Sequence, residues 1–390
     1  MSEKTMLHRA TDIEEQLVHW RRDFHASPEL SFQERRTATV IADELGRLGY
    51  SVRRVVNGTG VVADLGYGPP AIAVRADIDA LPIEEANDTP YRSRTPSVMH
   101  ACGHDAHAAI LLGVGRLLAG EHLNGRVRLL FQPAEETKDE NGVGGAEHML
   151  QEGALDGIYA ALALHVDSSS PVGRIKVKSG FLSPGTDLFR AVVCGVGGHG
   201  GYPHRAIDPS YIAAHVVLAV DGSVARGVAP GDRAVANACS VHAGTAPKVI
   251  LDLAELLGTI RYQDDDMRQT LHSQIRGALE MSKALGADYD LQIQRGIPPI
   301  FNDRVLAELV KAVAAELVGD GCFKDPDWGM AGDDFAVFAR QVPALMFSLG
   351  CALDGRLRSH HNPHFDIDER CLALGAAILA ESALPFLGGD

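Results

Sequence analysis

The chain of 390 residues reads as an α/β protein of two domains, one discontinuous (1–184 and 297–390) and one inserted (185–296). Three observations predict this. From the N-terminus to His165, short apolar strands alternate with helical patterns, as in an open sheet covered by helices. The middle of the chain then changes to the order βαββαβ, the ferredoxin-like arrangement. Past Gly296-Ile297-Pro298-Pro299 the α/β alternation resumes. The length also favours two to three domains.

Thr11-x-x-Glu14 and Ser31-x-x-Glu34 have the form of capping boxes, each opening a helix. The first helix places Ile13, Leu17, Trp20 and Phe24 on one face, and the second ends near Gly49. Strands are expected at Tyr50–Val56, Val61–Leu65 and Ala71–Ala76, the last leading into Asp77-Ile78-Asp79. The apolar run Ala108–Leu118 is a buried helix, Arg126–Phe131 a strand, and Gly142–Gly145 a glycine-rich helix start. Ile158–Leu164 is a strand ending in His165.

In the insert, Phe189–Gly195, Ala234–His242, Leu253–Tyr262 and Tyr289–Gln294 are strands, with helices at Asp208–Arg226 and Asp264–Leu285. Helices Arg304–Leu317 and Asp333–Arg340, strand Ala344–Leu349 and a closing helix from about Asp368 complete the pattern.

The formal charge of −15 argues against nucleic acid or an anionic membrane surface as a partner. Met1–Thr11 is polar with no apolar core, so no signal peptide is expected, and no stretch is apolar enough to span a membrane. Six scattered cysteines without a C-x-x-C pair fit a reducing, cytoplasmic location.

Chemistry concentrates in Met99–His107, where nine residues hold three imidazoles, one thiol and one carboxylate. Each is a metal ligand type or the partner of one. Cys102 and His104, two apart, project to the same side of a looped backbone. Asp77, Glu135, Glu136 and His165 all fall at or just past the carboxyl ends of apolar strands, the edge of an open α/β sheet where ligands bind. Successive side chains of Glu135-Glu136 point opposite ways on an extended chain, so one can bind a metal while the other handles a proton. Ser359-His360-His361-Asn362-Pro363-His364 offers three more imidazoles among which spacing alone does not choose.

Several longer stretches together carry a resemblance: His25–Ser31, Arg75–Pro82, Met99–His107, Pro133–Glu136, Gly198–His204, Gly258–Arg261, Gly332–Phe335 and His361–Pro363. They resemble the metallopeptidase family M20, within it the amidohydrolase branch of aminoacylase-type enzymes, hippurate hydrolases and auxin-conjugate hydrolases. The resemblance implies a zinc-exopeptidase-like catalytic domain and an inserted dimerisation (lid) domain, hence a homodimer or dimer-based oligomer. It implies two divalent metal ions per subunit, with zinc first and manganese, cobalt or nickel as alternatives. The implied ligands are Cys102, His104, Glu136, His165 and His361, with Glu135 as catalytic base and Asp77 orienting the site. Arg75 stands where most of the family has a ligating histidine, as is usual in this branch. His199 matches a histidine that, in family dimers, reaches the partner's site to donate to the oxyanion, and Arg261 an arginine that grips a carboxylate. Lys248 replaces the family's usual asparagine at a substrate contact, where a cation either favours an additional carboxylate or weakens the usual binding mode.

The activity this implies is hydrolysis of the amide of an N-acyl-L-amino acid. The alternative is a carboxypeptidase or dipeptidase acting on short unblocked peptides. Gly195-x-Gly197-x-x-Gly200 follows a strand as a dinucleotide site would, but Pro203 and Pro209 interrupt the helix such a site needs, and a dehydrogenase is rejected.

Overall fold

The computed structural model describes residues 5–324, 332–353 and 357–388. Along the chain come α1 (Met6–Thr11), α2 (Glu14–Ala26), α3 (Arg35–Arg47), β1 (Ser51–Val55), β2 (Gly60–Gly66), β3 (Ala71–Asp77) and α4 (His104–Leu118). They are followed by β4 (Arg126–Gln132), α5 (Gly145–Gln151), β5 (Ala160–Pro171), β6 (Ile175–Lys176) and β7 (Gly180–Ser183). Next are β8 (Gly185–Cys194), β9 (Gly198–His199), α6 (Pro209–Gly227), β10 (Ala234–Ala243), β11 (Val249–Ile250), β12 (Leu253–Tyr262), α7 (Asp265–Ala284) and β13 (Asp288–Arg295). The chain closes with β14 (Ile300–Asn302), α8 (Arg304–Val318), α9 (Phe335–Ala339), β15 (Ala344–Ala352) and α10 (Cys371–Ala383). None of these helices is long and apolar enough to cross a membrane.

The described residues form two compact units. One runs up to Leu182 and returns over Phe301–Lys324 and from Asp334 onward; the other is Ser183–Ile300 with Gly332 and Asp333.

The first unit is built on a seven-stranded sheet of order β1-β2-β4-β3-β5-β15-β6. Its centre, β4-β3-β5-β15, is parallel, and its margins are antiparallel. Every residue of β3 is buried, as expected of a central parallel strand covered on both faces. α4 and α10 pack on each other and on β3 and β5, while α5 and α9 pack on each other, with α5 also against β4 and α9 against β5 and β15. α2 lays Leu17, Trp20 and Phe24 into this core, each burial stabilising by about 1.5–3 kcal/mol. Register matters most: Asp77 lies opposite Gln132, and Arg75 lies opposite Ala163, so the carboxyl ends of β3 and β4 stand level with His165.

Several expectations are corrected here. Neither capping box forms. Thr11 is the last residue of α1, a helix the apolar pattern did not reveal, and its hydroxyl donates to Leu7 O. The amides opening α3 are held by Glu29, whose carboxylate accepts from Arg36 N at 3.0 Å and Thr37 N at 2.8 Å. The helix expected from Ala108 starts at His104, because Gly103 takes a left-handed φ of 91° and its carbonyl accepts from Ala106 and His107 N. A Cβ at Gly103 would lie 2.4 Å from Val166 Cγ2, so no other residue fits. Finally, β5 does not stop at His165 but continues to Pro171, pairing with β15 beyond Ser348.

The second unit is a four-stranded sheet of order β10-β12-β8-β13, antiparallel throughout, with α6 and α7 packed on each other and on the sheet. With the order βαββαβ this is the ferredoxin-like arrangement. Among its buried charges, Asp187 accepts from Arg268 Nε and Nη2 (both 2.8 Å), His272 Nε2 (2.7 Å) and Gly296 N (2.9 Å).

Candidate metal centre

The first turn of α4, the carboxyl end of β3, the turn after β4, the middle of β5 and the segment before α10 converge in the first unit. Ligand-type atoms of Cys102, His104 and His165 lie within 4.8 Å of one another, as do those of Cys102, Glu136 and His361, and those of His104, Glu135 and Glu136. All five residues expected as ligands, and Glu135, are thus brought together.

The partners of each imidazole fix which nitrogen faces the centre. His104 Nδ1 sits 3.0 Å from both Asp79 Oδ1 and Asp79 O, so it donates there. Its Nε2 is buried with no hydrogen-bond partner among the described residues, 3.8 Å from Asp77 Oδ2 and 3.9 Å from Glu136 Oε1. His165 Nδ1 donates to Val166 O at 2.8 Å, turning Nε2 to Cys102 Sγ at 3.5 Å. Tying one ring nitrogen to an acceptor frees the other as a ligand.

Burial alone would lower the His104 pKa, but the charges of Asp77 and Cys102 and the bond to Asp79 hold it well above the ordinary value. Burial pushes the Cys102 thiol up. A buried thiol beside an imidazole whose Nδ1 is tied to Asp79 and whose Nε2 has no partner among the described residues fits a divalent cation: binding releases the protons these groups carry and satisfies the Nε2 donor. A set of thiolate, imidazole and carboxylate suits zinc and does not exclude neighbouring first-row ions.

Asp77 is a support. Burial would raise its pKa, but Arg75, His104 and His107 hold it well below the ordinary range. Arg75 Nη1 donates to Asp77 Oδ2 at 2.7 Å, and the same guanidinium reaches Gln132 Oε1 at 2.8 Å and Asp334 Oδ1 at 3.0 Å. No particular role for His107 is legible in the sequence. It bridges Asp77 Oδ1 (2.5 Å) and Val166 N (3.0 Å), so both its nitrogens are occupied and it braces the centre.

Among the three late histidines the structure separates His361 from His360. His361 Nε2 lies 3.2 Å from Glu136 Oε1, the bond that raises its pKa. His360 instead faces Cys102 O at 3.2 Å, and burial with nearby His165 pushes it down to about 3.

The alternation argument for Glu135-Glu136 is overturned. Glu135 and Glu136 lie in a bend and not on an extended strand, and a carboxylate oxygen of each lies within 4.8 Å of a His104 ring nitrogen.

The expected substrate residues lie in the second unit. His199 (β9) pairs with Val249 (β11), and Lys248 O accepts from Gly200 N at 2.9 Å, so His199 and Lys248 share one ribbon. His199 Nδ1 accepts from Gly201 N at 3.0 Å, leaving Nε2 as the donor. Arg261, on β12, is half-buried, and its guanidinium makes no hydrogen bond or ion pair among the described residues; burial lowers its pKa.

The fold and this donor cluster define a class of α/β hydrolases that bind metal beside a carboxylate. The family model for Peptidase family M20/M25/M40 matches residues 73–384, and the chain belongs to that family. It is 36% identical to an N-acetyl-L-cysteine deacetylase of Bacillus subtilis, covering 97% of this chain and 90% of that one. It is 35% identical to thermostable carboxypeptidase 2 of Saccharolobus solfataricus, covering 96% of each. A crystal structure from Bacillus subtilis, described as a dinuclear metal binding peptidase of the M20 family, superposes with a TM-score of 0.84 at 31% identity, over 97% of this chain and 99% of that one.

Proposed function

We propose that the protein is a dinuclear-metal amidohydrolase that cleaves N-acyl-L-amino acids to a carboxylate and a free amino acid. The observation carrying this reading is the cluster of Cys102, His104, Glu136, His165 and His361 with the carboxylate of Glu135 against it. Those five residues would hold the metal. When bound, a metal pair supplies an activated water at neutral pH and polarises the amide carbonyl.

The rest falls to the chain's own side chains. Glu135 takes the water's proton and returns it to the leaving nitrogen. Arg261, half-buried and without a partner among the described residues, grips the α-carboxylate through its planar fork. His199 donates from Nε2 to the developing oxyanion, with its tautomer set by Gly201 N. In this reading Ser183–Ile300 serves as the dimerisation and lid unit, and a partner subunit's copy of His199 completes each site. Lys248, in the ribbon of His199, gives a preference for a second carboxylate on the substrate.

A second reading has support of its own, the carboxypeptidase relative, and would make short unblocked peptides the substrates. Both are tested by amino acid release from N-acetyl and N-benzoyl amino acids beside free dipeptides, with metal-stripped protein replenished by Zn²⁺, Mn²⁺, Co²⁺ or Ni²⁺. Metal-dependent release from the acyl series is expected. Release from dipeptides alone moves the assignment to a peptidase, and release from neither sinks both.

A further inference from the structure

Ser31-x-x-Glu34 has the form of a helix cap, yet neither side chain caps α3; Glu29 does. The two freed side chains turn inward. Ser31 Oγ donates to Asp79 Oδ2 at 2.7 Å, and that same oxygen accepts from Glu136 N at 3.0 Å. Glu34 is fully buried, and its Oε1 accepts from Ala134 N at 2.8 Å. The backbone amides on either side of Glu135 are therefore held from one short segment.

The turn they hold is costly. A non-glycine residue at the φ of 50° seen for Ala134 is strained and persists only when its surroundings impose it. Here Glu34 holds the Ala134 amide, and Gly145 N donates to the Ala134 carbonyl at 3.0 Å. Released, the peptide would relax toward ordinary φ and re-aim Glu135. Glu34 itself is expensive to bury: its Oε2 has no hydrogen-bond partner among the described residues. A group kept inside at that cost, with one oxygen on a strained active-site amide, has a task beyond packing. Burial and the charge of Asp79 push its carboxyl up to about 8.

We propose that Glu34 is a positioning residue, seconded by Ser31 through Asp79, that fixes the strained Ala134 turn and so aims Glu135 and Glu136. This rests on the reading of Glu135 as the base and Glu136 as a ligand.

The test compares metal-replete wild type with E34Q, E34D, E34A and S31A, reading kcat, KM, metal affinity by chelator competition, and Tm. Glutamine keeps the acceptor in place, so E34Q should hold kcat and metal affinity within about 3-fold of wild type. E34A and E34D, which withdraw the oxygen, should lower kcat by about 10–100-fold with KM little changed, since a misplacement of about 1 Å costs on that order. Metal affinity should fall about 10-fold in both, and in S31A to a smaller extent. If E34A does not fold, the contrast between E34Q and E34D decides. A variant E34A or E34D with lowered Tm but unchanged kcat and metal affinity overturns the proposal, as does E34Q behaving like E34A. Full activity in E135Q instead refutes the base assignment, and the metal titration stands apart from that result.

Discussion

Replacing Asp79 by asparagine probes the centre without touching a ligand. Asp79 is fully buried; burial would raise its pKa, but His104, Glu136 and Ser31 as donors hold it below the ordinary range. One oxygen takes His104 Nδ1 and the other takes Glu136 N, both at 3.0 Å, with Ser31 Oγ at 2.7 Å. Asparagine offers one acceptor where two are needed. Whichever way the amide turns, its NH₂ faces either the Glu136 backbone N–H or the His104 ring N–H, so either Glu136 loses its acceptor or His104 is left with the Asp79 carbonyl alone, against a repelling NH₂. Loss of such an outer partner costs about 10–100-fold in metal affinity, or about 1.4–2.8 kcal/mol. The assay is competition for Zn²⁺ against a chromophoric chelator at fixed pH, with circular dichroism of the metal-free protein to show that the fold is kept. Asp23→Asn is the control, because that carboxylate pairs with Arg36 at the surface, where an ion pair is worth about 1 kcal/mol or less. A zinc affinity in D79N within about 2-fold of wild type would refute the claim that Asp79 orients His104 and Glu136.

The remaining predictions concern the base, the late histidines, the second unit and the turn. E135Q should lower kcat by about 10²–10⁴-fold, and isothermal titration should find its metal affinity little changed. H361A should weaken metal affinity by at least about 10-fold, whereas H360Q, which loses ring packing on His165 and Phe365 and a contact to the Cys102 carbonyl, should affect Tm more than affinity. Asp187→Asn should destabilise the protein by about 3–5 kcal/mol in urea unfolding, since it leaves Arg268 buried without its anion. Burial would raise the Asp187 pKa, but Arg268 and the other donors hold it below the ordinary range. Its stabilisation is therefore complete above about pH 4 and is lost as the pH falls through the folded-state value, so unfolding of wild type and D187N should converge in acid. Gly145→Ala places a Cβ 1.6 Å from Pro133 O, and the backbone shift this forces should cost about 1–3 kcal/mol and lower metal affinity along with kcat.

Local periodicity made much of this molecule legible in its sequence. The strand Leu253–Tyr262 and the helix opening at Arg304 stand where the apolar pattern places them, and the βαββαβ order of the insert is the one observed. Those features depend on neighbours a few residues apart. The composition of Met99–His107 likewise announced a cluster of metal-ligand types, because such residues seldom gather without a cation to hold. What the sequence misjudged are groups whose partners are far along the chain. Ser31 and Glu34 resembled a cap because their bonds run to Asp79 and Ala134, 48 and 100 residues on. Glu135 and Glu136 were expected to diverge because nothing local shows that the chain bends there instead of staying extended. His361, at a left-handed φ of 58° with its amide held by Ala101 O, faces Glu136, while its neighbour His360 faces the Cys102 carbonyl, a difference that spacing does not reveal. The sequence by itself determined the elements and the kinds of donor. Only tertiary structure decided where each donor points, because side-chain direction is set by backbone turns that distant hydrogen bonds impose.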